Sequence, residues 1–402
     1  MKTKAVIWAV LSSWLLFEAG SFIFYEFVRP SSESDAVGEI LEMRRADGIP
    51  PNDPSLRNEV RFLYYTDVKY HPYRWYQLQP NYKGRMTSTD AEGFRNDPSK
   101  ISRAAPSIAF FGGSTTYSTH TGQSQTIPVN VAAELKKSWS IDLQPLNFGI
   151  GGYSSGAELM TLIEVARLYS NIRVAVFYDG ANDVGRFVEK LQYQDLDPIY
   201  EVMSYPFMPS VDNAIHNRFS GRLAVLGGWY HRPEPGFPYL WYQAQKLLVA
   251  RIIALSGAWD PRHVAMMEPI RSAEDYRRIA QSIAAQYVQN VLDIKAIAER
   301  RGIVPVFTLQ PLVFDKTKRT KREEALVAAM RAKLFDMEKL YALTYQAVRE
   351  DVRLKAVHFF DLSNVFTDES EPIFYDFVHV NSAGNKAVSL AIAARIHSLV
   401  EK

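Results

Sequence analysis

The stretch "FFGGSTTYST", Phe110 to Thr119, ends an apolar run on two glycines and a cluster of hydroxyls. A short apolar run bounded by glycine reads as a buried strand, here Ser107 to Phe111. What leaves that strand decides the rest. A phosphate-binding loop would need G-x-x-x-x-G-K-[ST], and no lysine follows Gly112 and Gly113. A dinucleotide fingerprint tried at "FGIGGYSSG" would put its third glycine on Ser154. The elbow G-x-S-x-G would put its last glycine on Thr116. What remains is a sharp turn that leaves Ser114 at a strand end.

The same grammar continues downstream. Val129 to Ser138 reads as helix, Leu143 to Phe148 as a strand running into glycines, and Ala157 to Tyr169 as helix. "RVAVFYDG", Arg173 to Gly180, is the third strand. Ser272 with Asp275 offers a capping box. The helix behind it carries Ile279, Ile283, Tyr287, Val291 and Ile294 on one face and stops at Gly302. "IVPVFTLQP" is a strand, Glu323 to Arg349 a helix, Ala356 to Asp361 the last strand, and Asn381 to Val400 the last helix. Short apolar strands alternating with helices predict an α/β fold, a parallel sheet covered on both faces. Ligands of such sheets bind beyond the carboxyl ends of the strands.

Ahead of this domain, Lys2 and Lys4 precede the apolar stretch Ala5 to Val28. About 20 apolar residues suffice to cross a bilayer. The lysines favour a cytoplasmic N-terminus, with everything after Arg29 outside. Glu18 would cost about 3 kcal/mol at mid-membrane, which the surrounding Leu, Ile, Val and Phe offset. The expectation is an uncleaved anchor over residues 1–29; the alternative is a signal peptide cut after Ala19-Gly20-Ser21, giving a secreted chain. Residues 30–59, rich in Ser, Pro, Asp and Glu, read as a linker. Residues 60–105 are an aromatic-rich extension, and 106–402 the main domain with an insert at about 184–271. In the insert, Trp229, Tyr230, Trp241 and Tyr242 read as a small core rather than a sugar platform.

A net charge of +2 on 402 residues gives no case for nucleic acid. The absence of cysteine removes disulfides, thiolate metal sites and cysteine nucleophiles. Eight scattered histidines without H-E-x-x-H give no case for a metal. "KTKRTKR", Lys316 to Arg322, reads as a solvated helix start rather than an anion-attracting patch.

A nucleophilic serine needs an imidazole, a carboxylate to orient it, and donors for the oxyanion. "YDGAND" ends the third strand with Asn182, and "YDFVHVNSAGN" sets Asp376 three residues before His379. Together these blocks resemble the SGNH (GDSL-type) hydrolase family. "FFGGSTT" is similar to its first block, "NFGIGGYSS" to its second, "GAND" to G-x-N-D, and "DFVH" to D-x-x-H. The resemblance implies a three-layer α/β/α sandwich with a flavodoxin-like sheet. It implies Ser114 as nucleophile, His379 as base and Asp376 as its orienter, with Ser114, Gly152 and Asn182 holding the oxyanion and no cofactor or metal. It further implies an esterase acting on acylated extracytoplasmic polysaccharide or glycoconjugate. An O-acyltransferase or a lipid esterase using the same triad, or a non-catalytic scaffold, are the alternatives. Asp179, beside the third block, is ranked below Asp376 as the acid. One departure stands out: Gly113 occupies the position where the family has Asp.

Overall fold

The computed structural model describes residues 69–84, 86–192, 272–331 and 336–400, together with Asp47. A small antiparallel hairpin of β1 (Lys69–His71) and β2 (Trp75–Gln77) comes first. The opening apolar run becomes β3 (Ser107–Gly112), followed by a single turn, α1 (Ser114–Tyr117), and α2 (Ile127–Trp139). Then come β4 (Gln144–Asn147), α3 (Ser155–Leu168), β5 (Ile172–Asp179) and α4 (Ala181–Gln192). The chain is next described at α5 (Ala273–Arg300), β6 (Val304–Leu309), α6 (Lys321–Arg331), α7 (Met337–Glu350), β7 (Phe359–Asp361) and α8 (Ser382–Val400).

The five strands after the hairpin form one parallel sheet in the order β4-β3-β5-β6-β7. Numbered within the sheet, this is 2-1-3-4-5, which reverses direction where β3 meets β5. The chain leaving those two strands turns directly into α1 and α4, which carry Ser114 and Asn182. Strand periodicity builds both cores. Ile108, Phe110, Val174, Val176 and Val306 face Val131, Leu135, Val388 and Ile392 of α2 and α8. Ala109, Phe111, Ala175, Phe177 and Phe307 face Leu162, Ile283, Val291 and Leu340 of α3, α5 and α7. Phe111, Phe177 and Phe307 stack in series at 4.7 and 5.0 Å. Losing one such buried ring typically costs about 3–5 kcal/mol.

The expected elements recur with two corrections. The helix expected over Glu323 to Arg349 is two helices: Asp336 accepts from Lys339 N at 3.1 Å and caps α7. The last strand is also shorter than expected, because Val352–Ala356 forms a 3₁₀ turn before it. Ser272 caps α5 as expected, accepting from Asp275 N at 3.0 Å. No helix among the described residues is long and apolar enough to cross a membrane. The apolar stretch Ala5 to Val28, the insert beyond Gln192 with its four aromatic residues, and most of the linker lie outside the described residues.

Candidate active site

β3 ends at Gly112 and the chain turns at once into α1, whose first residue is Ser114. Asn182, on α4, lies against this turn and donates from Nδ2 to Tyr153 O at 2.7 Å. Its amide carries a second hydrogen that this bond leaves over. A Cβ on Gly113 would stand 2.0 Å from Asn182 Nδ2 and 3.2 Å from Tyr153 O. The space that an aspartate would need is therefore taken by the Asn182 amide. Gly152, one residue before Tyr153, holds φ at 78°, which favours glycine.

Gly113→Ala is accordingly expected to push the Asn182 amide aside. Loss of one oxyanion donor lowers kcat by about 10²–10³-fold. If that amide is the oxyanion donor implied by the G-x-N-D resemblance, turnover should fall as far as in Asn182→Ala, and combining the two changes should add little. Additive losses would mean that the two residues act separately.

The structure brings Ser114, His379 and Asp376 into one hydrogen-bonded line. His379 Nε2 lies 2.6 Å from Ser114 Oγ, and Nδ1 lies 2.6 Å from Asp376 Oδ2. A carboxylate only accepts, so Nδ1 carries the proton and Nε2 is the acceptor for the serine hydroxyl. Asp376 Oδ1 accepts from the backbone N–H groups of Val378 and His379 at 2.9 and 2.8 Å. Burial opposes ionisation of Asp376. The His379 charge, its ring hydrogen bond and the two backbone donors outweigh that and hold the carboxyl well below its ordinary range. Burial likewise pulls His379 down, but the charge and hydrogen bond of Asp376 outweigh it and raise the imidazole above its ordinary value.

The loop bearing Asp376 and His379 is held by residues whose roles have no local sequence mark. In the basic run, Lys316 is fully buried and pairs with Glu323 at 2.6 Å. Glu323 Oε1 in turn accepts from Ile373 N at 3.1 Å. Arg322 donates to the carbonyls of Phe374, at 2.7 Å, and Tyr375. The expectation of a solvated helix start is thus corrected in part: Lys316 and Arg322 brace the loop, while Lys318 and Lys321 are exposed. Asp47, inside the segment read as a linker, is buried and accepts from Tyr375 OH at 2.9 Å and from Ser382 N at the start of α8. The Tyr375 ring packs on His120 at 4.4 Å, and His120 meets the His379 ring edge-on at 5.2 Å.

Asp179 lies elsewhere. It is buried with Glu158 and Tyr287, behind the turn that carries Asn182. Asp183 faces the same cluster and accepts from Ser155 N at 3.3 Å. Burial, reinforced for Glu158 by the neighbouring carboxylates, raises all three acids above their ordinary values. These acids belong to the scaffold, and sequence marked only Asp179, beside the third block, and Asp183, within it. His120, Asp376 and His379 place ligand-type atoms within 4.8 Å of one another. Two of the three are already spent on each other and on Ser114 at 2.6 Å, so the set is a poor metal cage.

No protein-family model matches the chain, and no curated protein matches it. Solved structures do align with it. One is an alpha/beta hydrolase enzyme from the metagenome of Lake Arreo, Spain, at 12% identity and a TM-score of 0.33, covering 73% of this chain and 95% of that one. A variant of an acetyl xylan esterase from Geobacillus stearothermophilus aligns at 12% identity and a TM-score of 0.32, covering 73% and 97%. A second acetyl xylan esterase aligns at 12% and 0.30, covering 73% and 99%. At such identities and scores the likeness carries no argument, and function is read from the site's own geometry.

Proposed function

We propose that the chain is a serine esterase of SGNH type, removing acyl groups, acetyl foremost, from an extracytoplasmic polysaccharide or glycoconjugate. The observation that carries the chemistry is the 2.6 Å and 2.6 Å line from Ser114 through His379 to Asp376. Ser114 Oγ attacks the ester carbonyl while His379 Nε2 takes its proton. The carbonyl oxygen becomes an oxyanion held by the N–H groups of Ser114 and Gly152 and by the second hydrogen of the Asn182 amide. His379 returns the proton to the departing alcohol, leaving an acyl-Ser114 ester. Water, deprotonated by His379, then attacks that ester, and His379 passes the proton to the departing Ser114 Oγ as the acid is freed. Asp376 keeps the imidazole in the required tautomer and stabilises its charged form throughout.

The extracytoplasmic placement is supported by Lys2 and Lys4 ahead of the apolar stretch Ala5 to Val28, which would anchor the enzyme. Incubating the wild-type enzyme with a fluorophosphonate should label it, with the adduct mapping by mass spectrometry to the peptide containing Ser114. Acetate release from acetylated xylan should follow, and protease added to intact cells should remove the domain but spare residues 1–29. Acetyl transfer to a glycan acceptor at the expense of acetate release would assign the transferase activity instead. No adduct on Ser114 would overturn the esterase altogether.

A further inference from the structure

Arg95 and Asn96, in "EGFRND", precede the sheet, and hydrogen bonds from both reach residues beside the Ser114 line. Arg95 is 1% exposed. Its Nη1 donates to the carbonyls of Tyr117 at 2.7 Å and Ser118 at 2.6 Å. Its Nη2 donates to Thr121 O at 2.6 Å and Met86 O at 3.2 Å, and its Nε to Gln123 Oε1 at 3.2 Å. The guanidinium also lies 4.9 Å from the centre of the Tyr117 ring. Tyr117 and Ser118 close α1, the turn that opens on Ser114. Ser118 holds φ at 63°, a conformation that a non-glycine residue keeps only when its surroundings impose it.

Asn96 reaches the other half of the site. Its Oδ1 accepts from Asn147 N at 2.8 Å, at the end of β4. Asn147 then donates from Nδ2 to Thr116 O at 3.0 Å and accepts from Gly149 N at 3.0 Å. Asp90 locks the turn from behind, accepting from Phe94 N at 2.9 Å and Asn96 Nδ2 at 2.8 Å. Two consecutive residues thus fasten the nucleophile turn and the glycine loop that leads to Gly152.

We propose that Arg95, with Asn96, is a positioning residue of the acyl-transfer site, setting the nucleophile turn against the oxyanion loop. This rests on the esterase function proposed above. A displacement of about 1 Å at reacting atoms can cost about 100-fold in rate. The extension ahead of the sheet is then part of the catalytic housing.

The test is fluorophosphonate inactivation of Arg95→Ala, Arg95→Lys and, as control, Ile294→Ala, each well below its melting temperature. Ile294 is fully buried in the core on α5 and lies in neither the nucleophile turn nor the glycine loop. For Arg95→Ala the limiting inactivation rate should fall by about 30-fold or more, with half-saturation within about twofold. Arg95→Lys should keep part of the rate, and low millimolar guanidinium should restore part of it to Arg95→Ala. Ile294→Ala should lose stability but not rate. A wild-type limiting rate in folded Arg95→Ala would overturn the proposal. If even the wild type resists labelling, the esterase function falls separately, and the crystal structure of Arg95→Ala decides. A Ser114 Oγ–His379 Nε2 separation lengthened from 2.6 Å supports positioning, and an unchanged one overturns it.

Discussion

Ser114→Ala is expected to abolish ester turnover, by about 10⁶-fold in kcat, and to remove fluorophosphonate labelling completely. The size follows from what the hydroxyl does. In the proposed mechanism it supplies the atom that forms the covalent bond, and without the acyl-Ser114 ester the proton transfers of His379, supported by Asp376, have no intermediate to serve. Removing the other members of such a unit after the serine therefore changes little more. The fold should not suffer. The substitution deletes one hydrogen bond to a ring that keeps its partner Asp376 at 2.6 Å. A typical net hydrogen bond contributes about 1 kcal/mol. Hydrolysis of p-nitrophenyl acetate, read beside the melting temperature, checks both halves. Equal turnover in wild type and variant would mean that the chain is an inert shell or uses another nucleophile.

Much of this site is legible in sequence because its signals are local and backbone-driven. A buried strand that must turn sharply shows its glycines, as Gly112 and Gly113 do. Asp376 and His379 are three residues apart, so their hydrogen bond needs one loop rather than a whole fold. The braces could not be read in the same way. Arg95 bonds mainly to carbonyls, and a carbonyl has no letter in the sequence. Lys316 and Arg322 look like solvated charge until Glu323 and the carbonyls of Phe374 and Tyr375 arrive from the fold. Asp47 meets Ser382 across more than 300 positions, beyond any local pattern. Gly113 is intermediate. Its oddity was visible in the sequence, but the Asn182 amide lying where a side chain would stand is a contact between two strand ends. The cluster of Glu158, Asp179 and Asp183 shows a further limit. A carboxylate beside a strand end suggests chemistry, and only its place in that cluster, on another side of the turn, identifies it as scaffold.

Asp376→Asn is expected to cost about 10³–10⁴-fold in kcat/KM at neutral pH and to move the pH profile. His379 works as a base only when neutral, so activity rises with pH through its pKa. In the wild type the Asp376 charge holds that pKa above the ordinary 6.5, against burial. The acid limb of kcat/KM should therefore lie above pH 6.5 in the wild type and below it in the variant, where burial acts unopposed. The rate loss persists on the alkaline side, because the introduced amide can donate to Nδ1 and force the proton onto Nε2, which then cannot accept from Ser114. Stability gives a second check with its own sign. Asp376, whose folded pKa is depressed, contributes stability that is present above its unfolded value and lost as pH falls through the folded one. His379, whose folded pKa is raised, contributes stability that is present below its unfolded value and lost as pH rises through the folded one. Both contributions are present together between the ordinary values of 3.8 and 6.5. The difference in melting temperature between wild type and Asp376→Asn should be largest in that window and shrink toward alkaline pH. A variant with an unmoved acid limb and a constant stability difference would show that Asp376 does not set the charge state of His379.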